Sequence, residues 1–391
     1  MRPFVEVAWE ALRKHGEELC GDTVKMTITK DSLIVVLSDG LGSGVKANIL
    51  STLTAQIAAT MFEQGASTEE TIDTLINTLP ECQVRKLAYA TFAMIKVTRG
   101  REAHLIEYDS PPLIFIRNGQ IVNLPTTERE VHGRTIRETY FTLQDNDHMV
   151  LVSDGYEHAG VGGLYRLGWG WKNVAIAVRR WVQTGGDACE LARALSRTCL
   201  KLYDGKPGDD STAIVLRVRS TKFTTILTGP PADKAQDDFA VAQLMKARGT
   251  KVICGGTTAQ MAARVLGQEL EVEWAPPSKR LRGTPRKPGT PPTARLAGVD
   301  LITEGILTLA KASSLLEEAE TVHDLPREDD AATRLARILL TSDHIHLIVG
   351  TAINPNQVAD VIRGEPMRMV YIRELVRLLE ERNRKVTLEH I

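Results

Sequence analysis

No stretch of the chain approaches the roughly 18–20 uncharged apolar residues that a membrane-spanning helix needs. Met1-Arg2-Pro3-Phe4 does not lead into the apolar core of a signal peptide. Charge of one sign is missing as well. The formal net charge is −1, so no global field recruits nucleic acid or an anionic membrane, and neither is an expected partner. Cysteines are few: Cys20, Cys82, Cys189, Cys199 and Cys254 stand apart, without paired metal-ligand spacing. Such scattered thiols suit a reducing compartment, where most are core residues. The Walker phosphate loop and the nucleophile elbow are both absent, and no internal repeat is found. These absences lead to the expectation of a soluble, cytoplasmic protein. Its 391 residues leave room for two domains that each bury a core.

What is present is organised around Ile34-Val35-Val36-Leu37-Ser38-Asp39-Gly40-Leu41-Gly42-Ser43-Gly44. A β-branched and aliphatic run ends in an aspartate, and a glycine-rich turn leads into helical spacing. This reads as a buried strand delivering one carboxylate to the mouth of a sheet. The glycines let the backbone turn sharply and approach a ligand closely. An ordinary strand–turn–helix corner would look the same, since Asp-Gly is a common turn pair. Recurrence tells against that reading. Met149-Val150-Leu151-Val152-Ser153-Asp154-Gly155 repeats the pattern, and Gly208-Asp209-Asp210-Ser211-Thr212 sets an acidic pair before the apolar run Ala213-Ile214-Val215-Leu216. Asp22 follows Gly21 ahead of the alternating Val24-Lys25-Met26-Thr27-Ile28. Carboxylates gathered at strand ends repel one another and take up protons unless a hard divalent cation neutralises them.

With Tyr108-Asp109-Ser110-Pro111-Pro112 added, these elements in this order resemble the metal-dependent protein phosphatases of the PPM (type 2C) superfamily. The resemblance is to the bacterial branch typified by the stage II sporulation phosphatase. It covers about residues 1–220 and stops there. It implies an antiparallel β-sandwich flanked by helices and a site holding two Mn2+ or Mg2+ ions. Asp39 would bridge the ions, and Asp154 and Asp209 would complete one shell. The Gly40 carbonyl, with Asp22 directly or through water, would serve the other. Asp210 would bind a further weak ion or brace Asp209. Oxygen-only ligands suit these metals better than zinc. The implied activity is hydrolysis of phosphoserine or phosphothreonine on a regulatory protein, such as a STAS-type anti-anti-sigma factor, by a water activated between two metals. The arginine that some members use to hold phosphate has no obvious counterpart here. His158 would be either a general acid for the leaving oxygen or a surface or loop-bracing residue.

Taken in order, residues 5–19 read as an amphipathic helix with Val5, Trp9 and Leu12 on one face. Strands follow at 24–28 and 33–38, and helices from Val45 to about Gly65 and from Ser67 to about Leu79. Strands are expected at 89–97, 103–108, 113–117, 120–124 and 148–153, helices at 172–183 and 187–203, and a strand at 212–219. Arg117-Asn118-Gly119-Gln120 predicts a tight hairpin turn. Gly168-Trp169-Gly170-Trp171 is either core packing or an aromatic docking patch. The pattern gives an α+β domain over 1–220, with sheets between helices.

Beyond Lys222 strands alternate with helices: 223–228, 251–254 and 344–349 against 233–248, 256–266, 304–320, 330–341 and 367–382. That predicts a separate α/β domain over 221–391 with a largely parallel sheet, serving regulation or recognition. The Pro-rich basic stretch between Ala275 and Arg295 reads as an exposed, mobile loop. Gly255-Gly256-Thr257-Thr258, at a helix start, is a candidate anion site, with Asp237, Asp238, Asp300 and Glu304 as candidate neighbours in the same cleft. A small-molecule effector is therefore a candidate partner. The competing functional readings are a catalytically silent signalling scaffold and a phosphatase gated by nucleotide or phosphometabolite sensing in the second domain.

Overall fold

The computed structural model describes residues 3–78, 90–131, 134–273, 293–352, 361–362 and 365–391. Contacts divide the chain into two units, Met1–Ser220 and Thr221–Ile391. The first unit runs β1 (Pro3–Leu12), β2 (Asp22–Ile28), β3 (Ser32–Gly40), α1 (Gly44–Glu63), α2 (Thr68–Thr78), β4 (Ala90–Thr98) and β5 (Glu102–Tyr108). It continues through β6 (Ile114–Arg117), β7 (Gln120–Ile121), β8 (Thr127–Val131), β9 (Arg134–Thr142), β10 (His148–Val152) and the short α3 (Asp154–His158). It closes with α4 (Trp171–Gln183), α5 (Ala188–Leu202) and β11 (Ser211–Ser220).

These strands form two antiparallel sheets, ordered β1-β11-β10-β6-β7 and β2-β3-β4-β5-β9-β8. The apolar run of β3 is unbroken because both of its faces are covered. Val35 and Leu37 point into the layer between the sheets, against Phe115, Leu151 and Ile214. Ile34 and Val36 point the other way, onto Ala55, Ala58 and Phe62 of α1. The second sheet is covered likewise on its outer face, where Val150 and Val215 pack on Val174, Val178, Leu191 and Leu195 of α4 and α5. The expected β-sandwich flanked by helices is the observed architecture.

The helix expected at 5–19 is instead β1, paired over its full length with β11 from Pro3↔Ser220 to Leu12↔Ser211. Val5, Trp9 and Leu12 fit helical spacing, but Val5 and Val7 alternate with Glu6 and Ala8 at the period of a strand. Val5 and Val7 pack into the layer between the sheets, while Ala8 and Leu12 reach the opposite face. Tertiary pairing decides between the two periods. Strands β8 and β9, which the apolar pattern leaves out, pair antiparallel from Thr127↔Glu138 to Val131↔Arg134. The hairpin at Asn118-Gly119 is as expected: Arg117 pairs with Gln120, and both turn residues adopt positive φ, 52° and 71°. Trp169 is 5% exposed and sits in the core, so the Gly-Trp-Gly-Trp segment is packing rather than a docking patch.

The second unit runs β12 (Phe223–Thr228), α6 (Asp237–Lys246), β13 (Thr250–Cys254), α7 (Gly256–Leu266), β14 (Glu271–Glu273), β15 (Thr293–Arg295) and β16 (Leu301–Thr303). It continues with α8 (Ile306–Glu318), α9 (Ala331–Thr341), β17 (His344–Val349), the hairpin β18 (Val361–Ile362) and β19 (Glu365–Pro366), α10 (Met367–Glu381) and β20 (Lys385–His390). Five strands, in the order β16-β13-β12-β17-β20, are parallel, and β15 and β14 extend one edge antiparallel. Leu227 and Ile253 face α6 and α7, whereas Ile226 and Val252 face α8, α9 and α10. This is the expected α/β unit with a largely parallel sheet. Most of the basic Pro-rich stretch lies outside the described residues, but its end, Thr293–Arg295, is strand β15 rather than loop. Among the described residues no helix is long and apolar enough to cross a membrane.

Replacing Ile95, fully buried between the sheets, by alanine is expected to cost about 2–5 kcal/mol in urea unfolding. Leu167→Ala, at a side chain 86% exposed, should stay within about 0.5 kcal/mol.

Candidate metal centre

The antiparallel register of β2 and β3 sets Asp22 directly opposite Asp39. The amide of Gly40 donates to the carbonyl of Gly21 at 3.2 Å, which closes the end of this pair. The other sheet brings Asp154, at the start of α3 beyond β10, and Asp209 with Asp210, just before β11. Because β10 and β11 are neighbours, these acids share one edge. Ser153 stitches the two sheets together. Its Oγ donates to Asp22 Oδ2 at 2.7 Å and accepts from the amide of Thr212 at 2.8 Å, while its own amide donates to the Thr212 carbonyl at 2.9 Å.

The glycines beside the aspartates serve close packing more than unusual dihedrals. Gly40 and Gly155 do not take positive φ. A Cβ on Gly40 would lie 2.1 Å from the Ala47 carbonyl oxygen, and one on Gly155 would lie 2.0 Å from that of Asp210. Only glycine lets α1 and the Asp210 turn come this near the metal-ligand candidates.

Crowding has an electrostatic consequence. Asp39 is pushed up from 3.8 to about 10, first by burial and then by the charges of Asp22 and Asp154, with Asp209 adding to them. Asp22 is pushed up to about 7, again mainly by burial, although the hydrogen bond from Ser153 opposes the rise. Burial and Asp154 also raise Asp209, against the pull of Lys14. Asp22 Oδ1 and Asp210 Oδ2 are buried and have no hydrogen-bond partner among the described residues.

Asp154, His158 and Asp209 each offer a ligand atom, and these atoms lie within 4.8 Å of one another. Asp22 and Asp39 stand outside that tight group but act on it through their charge. His158 Nδ1 lies 3.9 Å from Asp154 Oδ2 on the exposed rim. Asp210 is 4% exposed, its Oδ1 accepts from the Lys14 amide at 2.9 Å, and its Oδ2 would lie 2.8 Å from a Cβ on Gly21. It therefore braces the Lys14 and Gly21 loops, while its own amide donates to Asp209 Oδ1 at 3.0 Å. Lys14 and the Ser153–Thr212 clasp were not among the predicted site residues. The repeated Ser-Asp-Gly was the available signal for Ser153, whereas nothing local marks Lys14. Unpartnered buried oxygens, mutual repulsion and a donor set of oxygens with one imidazole at its edge fit a hard divalent cation.

Residues 29–219 match the family described as Stage II sporulation protein E (SpoIIE). No curated protein matches the chain. Among solved structures, the phosphatase domain of the cell fate determinant SpoIIE from Bacillus subtilis is similar at 18% identity and a TM-score of 0.42, over 56% of this chain and 94% of that one. The RsbU and RsbW domains of a Mycobacterium tuberculosis protein are similar at 17% identity and a TM-score of 0.46, over 62% and 67%. RsbX in complex with magnesium is similar at 18% identity and a TM-score of 0.39, over 55% and 95%. The first unit is a phosphatase domain of the metal-dependent PPM (type 2C) class. Within that class it belongs to the SpoIIE-like branch.

The second predicted cluster, Gly255, Gly256, Thr257 and Thr258, lines a cavity of about 410 Å³ together with Glu304. Asp237, Asp238 and Asp300 do not line it. Asp237 pairs instead with Arg264, and Asp300 accepts from the Lys251 amide at 2.8 Å.

Asp39 and Asp22 hold protons more tightly folded than unfolded, so the folded chain binds the extra protons between about pH 4 and about pH 10. In chelator-treated protein, stability should accordingly fall as pH rises from 5 to 9. Asp39→Asn should raise the Tm of that metal-free protein at pH 8 and flatten its pH dependence. A Tm that climbs steadily with pH would contradict this account.

Proposed function

We propose that the chain is a protein serine/threonine phosphatase acting in the cytoplasm on a phosphorylated regulatory protein, with a STAS-type anti-anti-sigma factor as the substrate class. The observation that carries the reading is the convergence of Asp22, Asp39, Asp154 and Asp209 on one edge of both sheets, with Asp39 pushed far above its ordinary range. Asp39, Asp154 and Asp209 would hold one divalent ion, and Asp39, the Gly40 carbonyl and Asp22 a second. When bound, Mn2+ or Mg2+ supplies an activated water and neutralises charge on the phosphoryl oxygens.

The chain's own residues set the geometry. Ser153, itself held by the Thr212 amide, fixes Asp22 through Oδ2, and Asp22 Oδ1 is left buried without a hydrogen-bond partner among the described residues. Lys14 Nζ, 3.9 Å from Asp209 Oδ1, offsets part of the negative field at the rim. His158, exposed and beside Asp154, is placed to pass a proton to the departing serine oxygen. The full set of acids argues against a silent scaffold, which would have no need to keep so costly a cluster of carboxylates.

Asp39→Asn is expected to lower Mn2+-dependent kcat/KM on a phosphoserine peptide by at least about 100-fold. Unchanged turnover would end the assignment. His158→Ala should slow the phosphoserine peptide about 10- to 100-fold while leaving p-nitrophenyl phosphate nearly unaffected, because that leaving group needs no proton. Equal losses on both substrates would remove His158 from the proton-donor role.

A further inference from the structure

The cavity in the second unit stands where the parallel sheet changes direction. From β12 the chain steps to β13 and β16 on one side, then returns to β17 on the other. Ligands of open parallel sheets bind at such a crevice, beyond the carboxyl ends of the strands. Thr228 ends β12, Cys254 ends β13, and Glu304 follows β16, and all three line the cavity.

Three helices, of 11, 13 and 15 residues, begin at its wall: α7 after Gly255, α8 after Gly305 and α10 after Pro366. None of the three starts has a side-chain cap among the described residues. Gly255 and Gly305 take φ of 127° and 144°, and a Cβ on Gly305 would lie 3.2 Å from the Gly255 Cα. Only glycine permits both the dihedral and the approach, so the starts of α7 and α8 are set side by side. Their first-turn amides and helix dipoles favour negative charge.

Independent of the helix ends, the cavity contains polar atoms without partners. Thr228 is 1% exposed and lines the cavity, yet its Oγ1 has no hydrogen-bond partner among the described residues. The same holds for the buried Oε2 of Glu304 and the Nε of Arg368. Arg368 Nη2 donates to the carbonyls of Gly350 at 2.7 Å and Ala352 at 3.3 Å, which fixes the guanidinium at the wall. Burial lowers the proton affinity of Arg368 from its ordinary value, a cost that a bound anion would offset. A hydroxyl oxygen, one carboxylate oxygen and one guanidinium nitrogen without partners among the described residues, all on residues lining one cavity, ask for a ligand with both acceptors and donors.

We propose that this cavity binds a phosphate monoester carried on a hydroxylated carbon frame, a sugar phosphate or a nucleotide. The phosphate lies against the starts of α7 and α8 beside Arg368, and Glu304 accepts from the hydroxyls. A volume of about 410 Å³ suits a molecule of that size. The acid accounts for the choice over a bare phosphate, since Glu304 repels an anion placed alone but pairs with a neighbouring hydroxyl.

The test is calorimetry on the full chain with chelator present, so that no divalent ion sits in the first unit. The probes are inorganic phosphate, ribose 5-phosphate and adenosine 5′-monophosphate. Ribose 5-phosphate or the nucleotide should bind below about 1 mM and at least about tenfold more tightly than inorganic phosphate, and the stronger of the two identifies the source. Gly256→Asp adds a carboxylate where a Cβ meets nothing within 4 Å. An acid in the first helical turn should keep the fold, read as an unchanged or higher Tm. The same variant should weaken binding at least about tenfold. Glu304→Gln should erase the preference over inorganic phosphate. Absence of binding by all three probes, or binding that survives Gly256→Asp, would overturn the proposal.

Discussion

Mutual repulsion among buried carboxylates is the constraint on which the first unit turns. Asp22 and Asp39 face each other across one strand pair, and Asp154 and Asp209 come in from the second sheet. Taking these charges out of water is costly, and placing them together adds to the cost. The surrounding structure opposes the cost locally through the hydrogen bond from Ser153, itself held by the Thr212 amide, to Asp22 and through Lys14 near Asp209. Asp39 has no such relief among the described residues, and it carries the largest rise in proton affinity of the three acids. A divalent cation answers that imbalance directly.

The sandwich is what makes the convergence possible. Each central strand is buried on both faces, so β3, β10 and β11 are rigid supports whose ends are determined by packing rather than by loop preference. Their acidic ends then lie within reach of one another because the two sheets share one apolar layer. Glycine at positions 40 and 155 removes the side chains that would hold the adjoining backbone away. The same principle appears in the second unit in another form. There Gly255 and Gly305 bring two helix starts together at the carboxyl edge of a parallel sheet.

Much of this was legible from residues alone where the signal was local. The paired Ser-Asp-Gly turns, the Asn-Gly hairpin and the alternation of strand and helix after Lys222 each follow from short-range chemistry. Two kinds of information were not local. In Pro3–Leu12 the spacing of Val5, Trp9 and Leu12 suits a helix while Val5 and Val7 alternate as in a strand, and only pairing with β11 decides between them. Strands β9 and β20 are amphipathic and rich in charge, so apolar runs do not announce them, and their neighbours in the sheets define them.

The sequence by itself determined which strands end in carboxylates, which turns require glycine and where one folding grammar gives way to another, because backbone sterics and side-chain polarity act over a few residues. Tertiary structure decided that Asp22 answers to Ser153, that Asp210 braces Lys14 and Gly21, and that Thr228, Glu304 and Arg368 line one cavity. Those pairs are separated by tens to nearly two hundred positions along the chain. No periodicity reaches that far, and only the packing of sheets and helices brings such residues together.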